Sequence, residues 1–330
     1  MTRKTHFEPS PRLQATDRLS VPDLISISYL TVEDIQLIFE TAERIKQRPG
    51  DYTTALSGKT LALIFEKPSL RTRVTFDVGM TSMGGHAVFL DHSDAKLGER
   101  ESIKDVARNL ERWLHGIVAR TYKNRSVAEL AEHADIPVIN GLTDLLHPCQ
   151  ALTDYFTVRE KLGGLKGIKF SYVGDGNNTC HSLIDGAAKL GVKLFIATPE
   201  GFEPNHRIVS EAEKAARETG AEIRILNDPA EAVKDASVVY TDVWASMGQE
   251  AEAEDRAGLF ADYRVDSELM SHARKDAFFM HCLPAHRGYE VAPSVIDSPQ
   301  SIVYDQAENR LHVQKAILFL LMSDSSEGTH

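Results

Sequence analysis

The sequence predicts an α/β protein of two domains, each a parallel sheet covered by helices. Three observations carry that expectation. Apolar runs of strand length alternate with helical patterns along the chain. The runs are continuously apolar rather than alternating, which suits strands buried on both faces. A length of 330 residues suffices for two cores of ordinary size, and 42% hydrophobic with 26% charged residues is the composition of a soluble globular protein.

Taken in order, the chain opens on a polar, proline-containing stretch that is expected to be loosely ordered up to about Val21. Thr31 and Asp34 then have the spacing of a capping box. Ile35, Ile38, Phe39, Ala42 and Ile45 recur at helical intervals until Pro49-Gly50 breaks the pattern. A first strand series follows at Thr60 to Phe65, Ala87 to Leu90, Ile117 to Ala119 and Pro137 to Ile139, punctuated by Gly84-Gly85 and Asn140-Gly141. A helix over about 148–161 leads to a second series at Ile168 to Val173, Lys193 to Ala197, Glu222 to Leu226, Ser237 to Tyr240 and Ala277 to His281. A last helix is expected over about 311–323. Parallel strands collect ligands at their carboxyl ends. FEKPS, ARTY, GDGNN, TDVW and HCLP each begin where an apolar run stops, so five strand ends can supply polar groups to one cleft.

A net charge of −11 argues against a nucleic-acid partner, which needs a basic stripe. Any anion must be met by locally gathered arginines. Cys149, Cys180 and Cys282 are an odd count with no C-x-x-C spacing, so neither a disulfide framework nor a zinc site is indicated and a cytoplasmic location fits. The start MTRKTHFEPSPRL lacks the apolar core of a secretory signal, and the longest apolar run, Ala316 to Met322, is too short to span a bilayer; no membrane partner is expected. VGDGNN follows a strand, yet Thr179 stands where a dinucleotide fingerprint needs its third glycine.

The segment Phe65 to Arg73, FEKPSLRTR, places Ser69, Thr72 and two arginines at the start of a helical pattern. There the helix dipole and unpaired N–H groups favour an anion. An ordinary Ser N-cap followed by a solvated basic turn reads equally well from that segment alone. Three further segments lie downstream: HPCQ (147–150), DVWASMG (242–248) and HCLPAHRG (281–288). Together with FEKPSLRTR, VGDGNN and Arg310 they resemble the aspartate/ornithine carbamoyltransferase family over about Leu24 to Met322, and the SMG triplet resembles its ornithine-using branch.

The resemblance implies that family's two-domain fold. Residues 1–150 would bind carbamoyl phosphate, 151–310 would bind L-ornithine, and the last helix would return to the first domain. It implies transfer of the carbamoyl group to the δ-amine of ornithine, giving citrulline and phosphate, in arginine biosynthesis or catabolism. No metal and no organic cofactor are called for. Ser69, Leu70, Arg71 and Thr72 would hold the phosphate, Leu70 through its backbone N–H because threonine is commoner there. Arg120, His147, Pro148, Cys149, Gln150 and Arg310 would enclose the carbamoyl group, with Cys282 and the Leu283 carbonyl near the reacting amine. Asn178, Asp242, Ser246 and Met247 would address ornithine. Arg71, Arg120, His147, Asp242 and Cys282 would carry the catalysis, and Arg73 would be structural. Lys96 would reach a neighbouring subunit's carbamoyl phosphate, which makes a homotrimer with shared sites. Putrescine, N-acetylornithine or aspartate as acceptor, or a silent metabolite-binding protein, are the rival readings.

Overall fold

The computed structural model describes residues 18–245 and 253–323. Its first sheet joins β1 (Thr60–Phe65), β2 (His86–Asp91), β3 (Gly116–Arg120) and β4 (Val138–Leu142) in the order β2-β1-β3-β4, all parallel. The second joins β5 (Lys169–Val173), β6 (Lys193–Ala197), β7 (Glu222–Leu226), β8 (Val238–Thr241) and β9 (Phe278–His281) in the order β7-β6-β5-β8-β9, again all parallel. Each expected strand is present, with ends moved by a few residues. The central strands are closed to solvent on both faces, which is why their apolar runs are unbroken.

Chain direction across the sheet reverses between β1 and β3 and again between β5 and β8. A parallel sheet opens a crevice at such a switch point because the connecting helices leave to opposite faces. FEKPS and ARTY leave the first switch point, GDGNN and TDVW the second.

Helix α1 (Val32–Gln47) starts with the reciprocal box its sequence spells: Thr31 Oγ1 accepts from Asp34 N at 3.0 Å and Asp34 Oδ2 accepts from Thr31 N at 2.9 Å. The same carboxylate also takes the N–H and hydroxyl of Ser20 at 2.7 and 2.5 Å, and Leu19 is buried. Residues 18–21 are therefore fixed, contrary to the expectation of a loose start up to Val21. A buried carboxylate has more acceptor sites than one helix end can fill. Residues 1–17 lie outside the described part.

The remaining helices are α2 (Leu70–Ser82), α3 (Ile103–Leu110), α4 (Asn124–His133), α5 (Pro148–Leu162), α6 (Asn178–Leu190), α7 (His206–Thr219), α8 (Pro229–Val233), α9 (Ala253–Leu259), α10 (Ser267–Ser271), α11 (Pro293–Ile296) and α12 (Val303–Met322). Helix α5 carries the chain from the first sheet to the second. It starts on Pro148, is buried from there to Val158, and stops on Gly163 at φ +75, where glycine avoids the left-handed penalty. Helix α12 begins at Val303, eight residues before its expected start, and packs on α1, α2 and α5. Its N-cap, Ile302, makes no side-chain cap bond, so no start signal marks it. At its end the Ser323 carbonyl accepts from Arg18 Nη2 at 2.7 Å, so the two extremities of the described chain touch.

Candidate active site

A cleft of about 750 Å³ lies at the carboxyl ends of both sheets, a volume suited to two small metabolites. On the first-sheet side the chain leaves β1 through Glu66 and Lys67 into α2. Ser69 caps that helix by accepting from Thr72 N at 3.3 Å, which aims the first turn into the cleft with Arg71 and Thr72 on its wall. Glu66 is buried and accepts from Leu97 N at 2.8 Å and Tyr122 N at 2.6 Å, clamping three loops. The ammonium groups of Lys67 and Lys96 lie 4.3 and 4.8 Å from the centre of the Tyr122 ring. Lys96 thus lines its own chain's cleft.

Arg120 ends β3. Burial, and then the like charges of Arg310 and Arg71, bring its guanidinium down to about 9. Arg310 reaches in from α12, donating through Nη1 to Gln150 Oε1 and through Nη2 to Thr72 Oγ1 at 3.0 Å. Burial followed by Arg310, Arg120 and Arg71 holds His147 well below the usual histidine range, so its ring is neutral. His147 Nδ1 is buried with no hydrogen-bond partner among the described residues. Burial above all, with Arg71 adding to it, lowers both Arg120 and Arg310, and beside a neutral imidazole this forms a site that an anion relieves.

On the second-sheet side Asp242 ends β8. Its carboxylate accepts from Val243 N at 2.8 Å, Asn177 Nδ2 at 3.0 Å and the Cys282 thiol at 3.0 Å. Burial of the thiol, then the Asp242 carboxylate, pushes Cys282 well above the usual cysteine range, so it stays a protonated donor. Leu283 adopts φ +58, and its N–H donates to His281 Nδ1 at 2.9 Å while His281 Nε2 faces Glu290 at 3.3 Å. Asn178 Nδ2 donates to the Thr143 carbonyl at 2.6 Å, joining α6 to the loop before α5. Arg256 pairs with Asp175 at 2.9 Å and donates to the Trp244 carbonyl at 2.9 Å.

The cleft brings together Ser69, Arg71, Thr72, Lys96, Arg120, His147, Gln150, Asn178, Asp242, Cys282, Leu283 and Arg310. Leu70, Pro148 and Cys149 do not line it: the Leu70 side chain is 73% exposed, Pro148 opens α5, and the Cys149 thiol donates to the Asn140 carbonyl at 3.5 Å in the core, where burial pushes it up to about 12. Ser246 and Met247 lie outside the described residues. Arg73 packs its guanidinium on the Phe89 ring at 3.6 Å rather than entering the cleft. Sequence reasoning missed Lys67, Tyr122 and Asn177. All three sit inside strand-end motifs, FEKPS, ARTY and GDGNN, and that adjacency was the available signal.

The family model described as aspartate/ornithine carbamoyltransferase, carbamoyl-P binding domain, matches residues 22–160, and the Asp/Orn binding domain model matches residues 166–321. A protein of Pyrococcus horikoshii named ornithine carbamoyltransferase is 53% identical over 308 residues, covering 93% of this chain and 97% of its own. One of Pyrococcus furiosus, named ornithine carbamoyltransferase, anabolic, is 54% identical over 302 residues, covering 91% and 96%. The solved structure of ornithine carbamoyltransferase from Pyrococcus furiosus superimposes with a TM-score of 0.89 at 52% identity, covering 94% of this chain and 98% of that one. That from Thermus thermophilus gives 0.83 at 42%, covering 92% and 99%.

Proposed function

The chain belongs to the aspartate/ornithine carbamoyltransferase family, and from that premise we propose that its cleft moves the carbamoyl group of carbamoyl phosphate to the δ-amine of L-ornithine, giving L-citrulline and phosphate. One observation carries the reading: a cationic wall of Arg71, Arg120 and Arg310 faces Asp242 and Cys282 across a single cavity. The wall suits an acyl-phosphate dianion. The Asp242 side chain, held by three uncharged donors, suits an ammonium group. An acceptor with a second carboxylate calls for a cation at that place.

In this mechanism the dianion binds first against the start of α2, and residues 1–150 form its half of the cleft. Ornithine follows against residues 151–310, with Asn178, Ser246 and Met247 along its α-groups. An alkyl ammonium of pKa about 10.4 must give one proton to solvent before it attacks, and the proton the nitrogen sheds after attack passes to the departing phosphate. Asp242 and the Leu283 carbonyl receive and align the amine, and Cys282 braces Asp242 as a neutral donor. Attack places negative charge on the carbonyl oxygen, which Arg120, Thr72 and the neutral His147 stabilise. Collapse expels phosphate, whose charge Arg71 meets. Exclusion of water on closure protects the acyl-phosphate.

The same reading makes the protein a cytoplasmic homotrimer, with Lys96 near a subunit junction. Leu70, Val74 and Val78 support it as an exposed apolar stripe at helical spacing on α2, adjoining the phosphate turn. The relative named anabolic favours a biosynthetic role. A colorimetric citrulline assay with ornithine, putrescine, N-acetylornithine and aspartate as acceptors tests the function. Turnover with ornithine is expected; product from another acceptor alone would replace the substrate, and none from any would leave a binding protein.

A further inference from the structure

A buried glutamine amide has one accepting and one donating end, and the way it faces decides what it recognises. Gln150 is held one way round. Its Nε2 donates to Asp154 Oδ1 at 2.7 Å, and its Oε1 accepts from the Arg310 guanidinium. Reversed, the oxygen would meet a carboxylate and the NH₂ a guanidinium, two repulsive contacts. Asp154 lies one turn further along α5 and is fully buried. Its carboxylate also accepts from Gln306 Nε2 of α12 at 2.6 Å and from the Tyr240 hydroxyl of β8 at 3.1 Å. Donors on three elements, Gln150 of α5, Gln306 of α12 and Tyr240 of β8, therefore converge on one carboxyl group behind Gln150, a group that burial pushes up to about 7, and Asp154 itself does not line the cleft.

What distinguishes a carbamoyl group from other small acyl groups is its NH₂. The carbonyl oxygen needs donors, which Arg120, Thr72 and His147 offer, whereas the NH₂ needs acceptors in a wall that is otherwise rich in donors. We propose that Asp154 is a positioning residue that turns the oxygen of Gln150 into the cleft and thereby makes the site select carbamoyl phosphate over acetyl phosphate, its methyl analogue. The inference rests on the functional reading above and adds the residue that sets acyl-group selectivity.

The test is equilibrium binding of carbamoyl phosphate and of acetyl phosphate to the full chain. The wild type is expected to prefer carbamoyl phosphate by about tenfold or more, because a methyl group leaves the second lone pair of the buried oxygen, beside the one that Arg310 fills, without a donor. In Asp154→Leu the amide is released, and the ratio should fall by about fivefold or more. In Asp154→Asn an oxygen can still accept from Gln150, and the ratio should stay within about twofold of the wild type. A merely structural role would weaken both ligands alike. If Asp154→Leu does not fold, Asp154→Ala replaces it in the comparison. A wild type that binds carbamoyl phosphate without preferring it, or a folded Leu or Ala variant that keeps the preference, overturns the role of Asp154 alone. A wild type that binds neither ligand overturns the functional reading and this inference with it.

Discussion

Arg71 is the cation that faces both halves of the cleft. Burial lowers its guanidinium while Cys282 and Asp242 across the cavity pull it back up. Its charge is most useful where phosphate leaves, so Arg71→Ala should reduce kcat by about 10³-fold with an unchanged melting curve, since a lost preorganised donor costs roughly 10²–10³ in rate. Steady-state kinetics within tenfold of wild type would remove it from the mechanism. Cys282 invites a covalent reading, yet its thiol is held protonated against Asp242. Cys282→Ser keeps a donor in that place and should retain turnover to within about 10²-fold; complete loss in rapid-mixing assays would restore the nucleophile. Arg120, Asp242 and Cys282 were legible because each stands in a short motif at a strand end, and His147 and Gln150 because they stand in the motif that opens α5. The roles of Asn177 and Asp154 were not, although Asn177 stands inside GDGNN. Their partners are Asp242, 65 residues away, and Gln306, 152 residues away, and no local pattern encodes such a pairing.

Capping shows how far local chemistry reaches. Burial pushes the Asp34 carboxyl up, but the donors of Ser20 and Thr31 outweigh it and hold the group below the usual aspartate range. A depressed pKa in the fold adds stability above the unfolded value and loses it as pH falls through the folded one. Asp34→Asn should therefore cost about 1–2 kcal/mol near pH 7, and the difference from wild type should narrow as pH falls from about 4 through the lower folded value. Denaturant melts at both pH values check this; a difference independent of pH would assign the cost to packing. The box was readable because Thr31 and Asp34 adjoin an apolar face with helical period. The first eight residues of α12 were not. Gln306, Asn309 and Arg310 are buried there, so the periodicity that marks an amphipathic helix is interrupted by polar side chains bonded to α5.

Two parallel sheets facing one cavity follow from unbroken apolar strands joined by helices, and that much is written along the chain. Strand order is not, because it depends on which faces the connecting helices cover. The switch points that gather FEKPS with ARTY, and GDGNN with TDVW, emerge only in three dimensions. At this scale the α2 stripe makes the firmest prediction. Light scattering should give about 110 kDa, three chains of 36.6 kDa, and Val78→Glu should shift the population to smaller species by placing a charge in an apolar contact. A wild type that runs as a single chain would remove the trimer. The bond from Arg18 to the Ser323 carbonyl has a separate consequence: a short linker could join these extremities while the backbone is cut between Gly163 and Gly164, where α5 ends. Such a circularly permuted polypeptide would synthesise its second sheet before its first, and neither sheet would lose a neighbour.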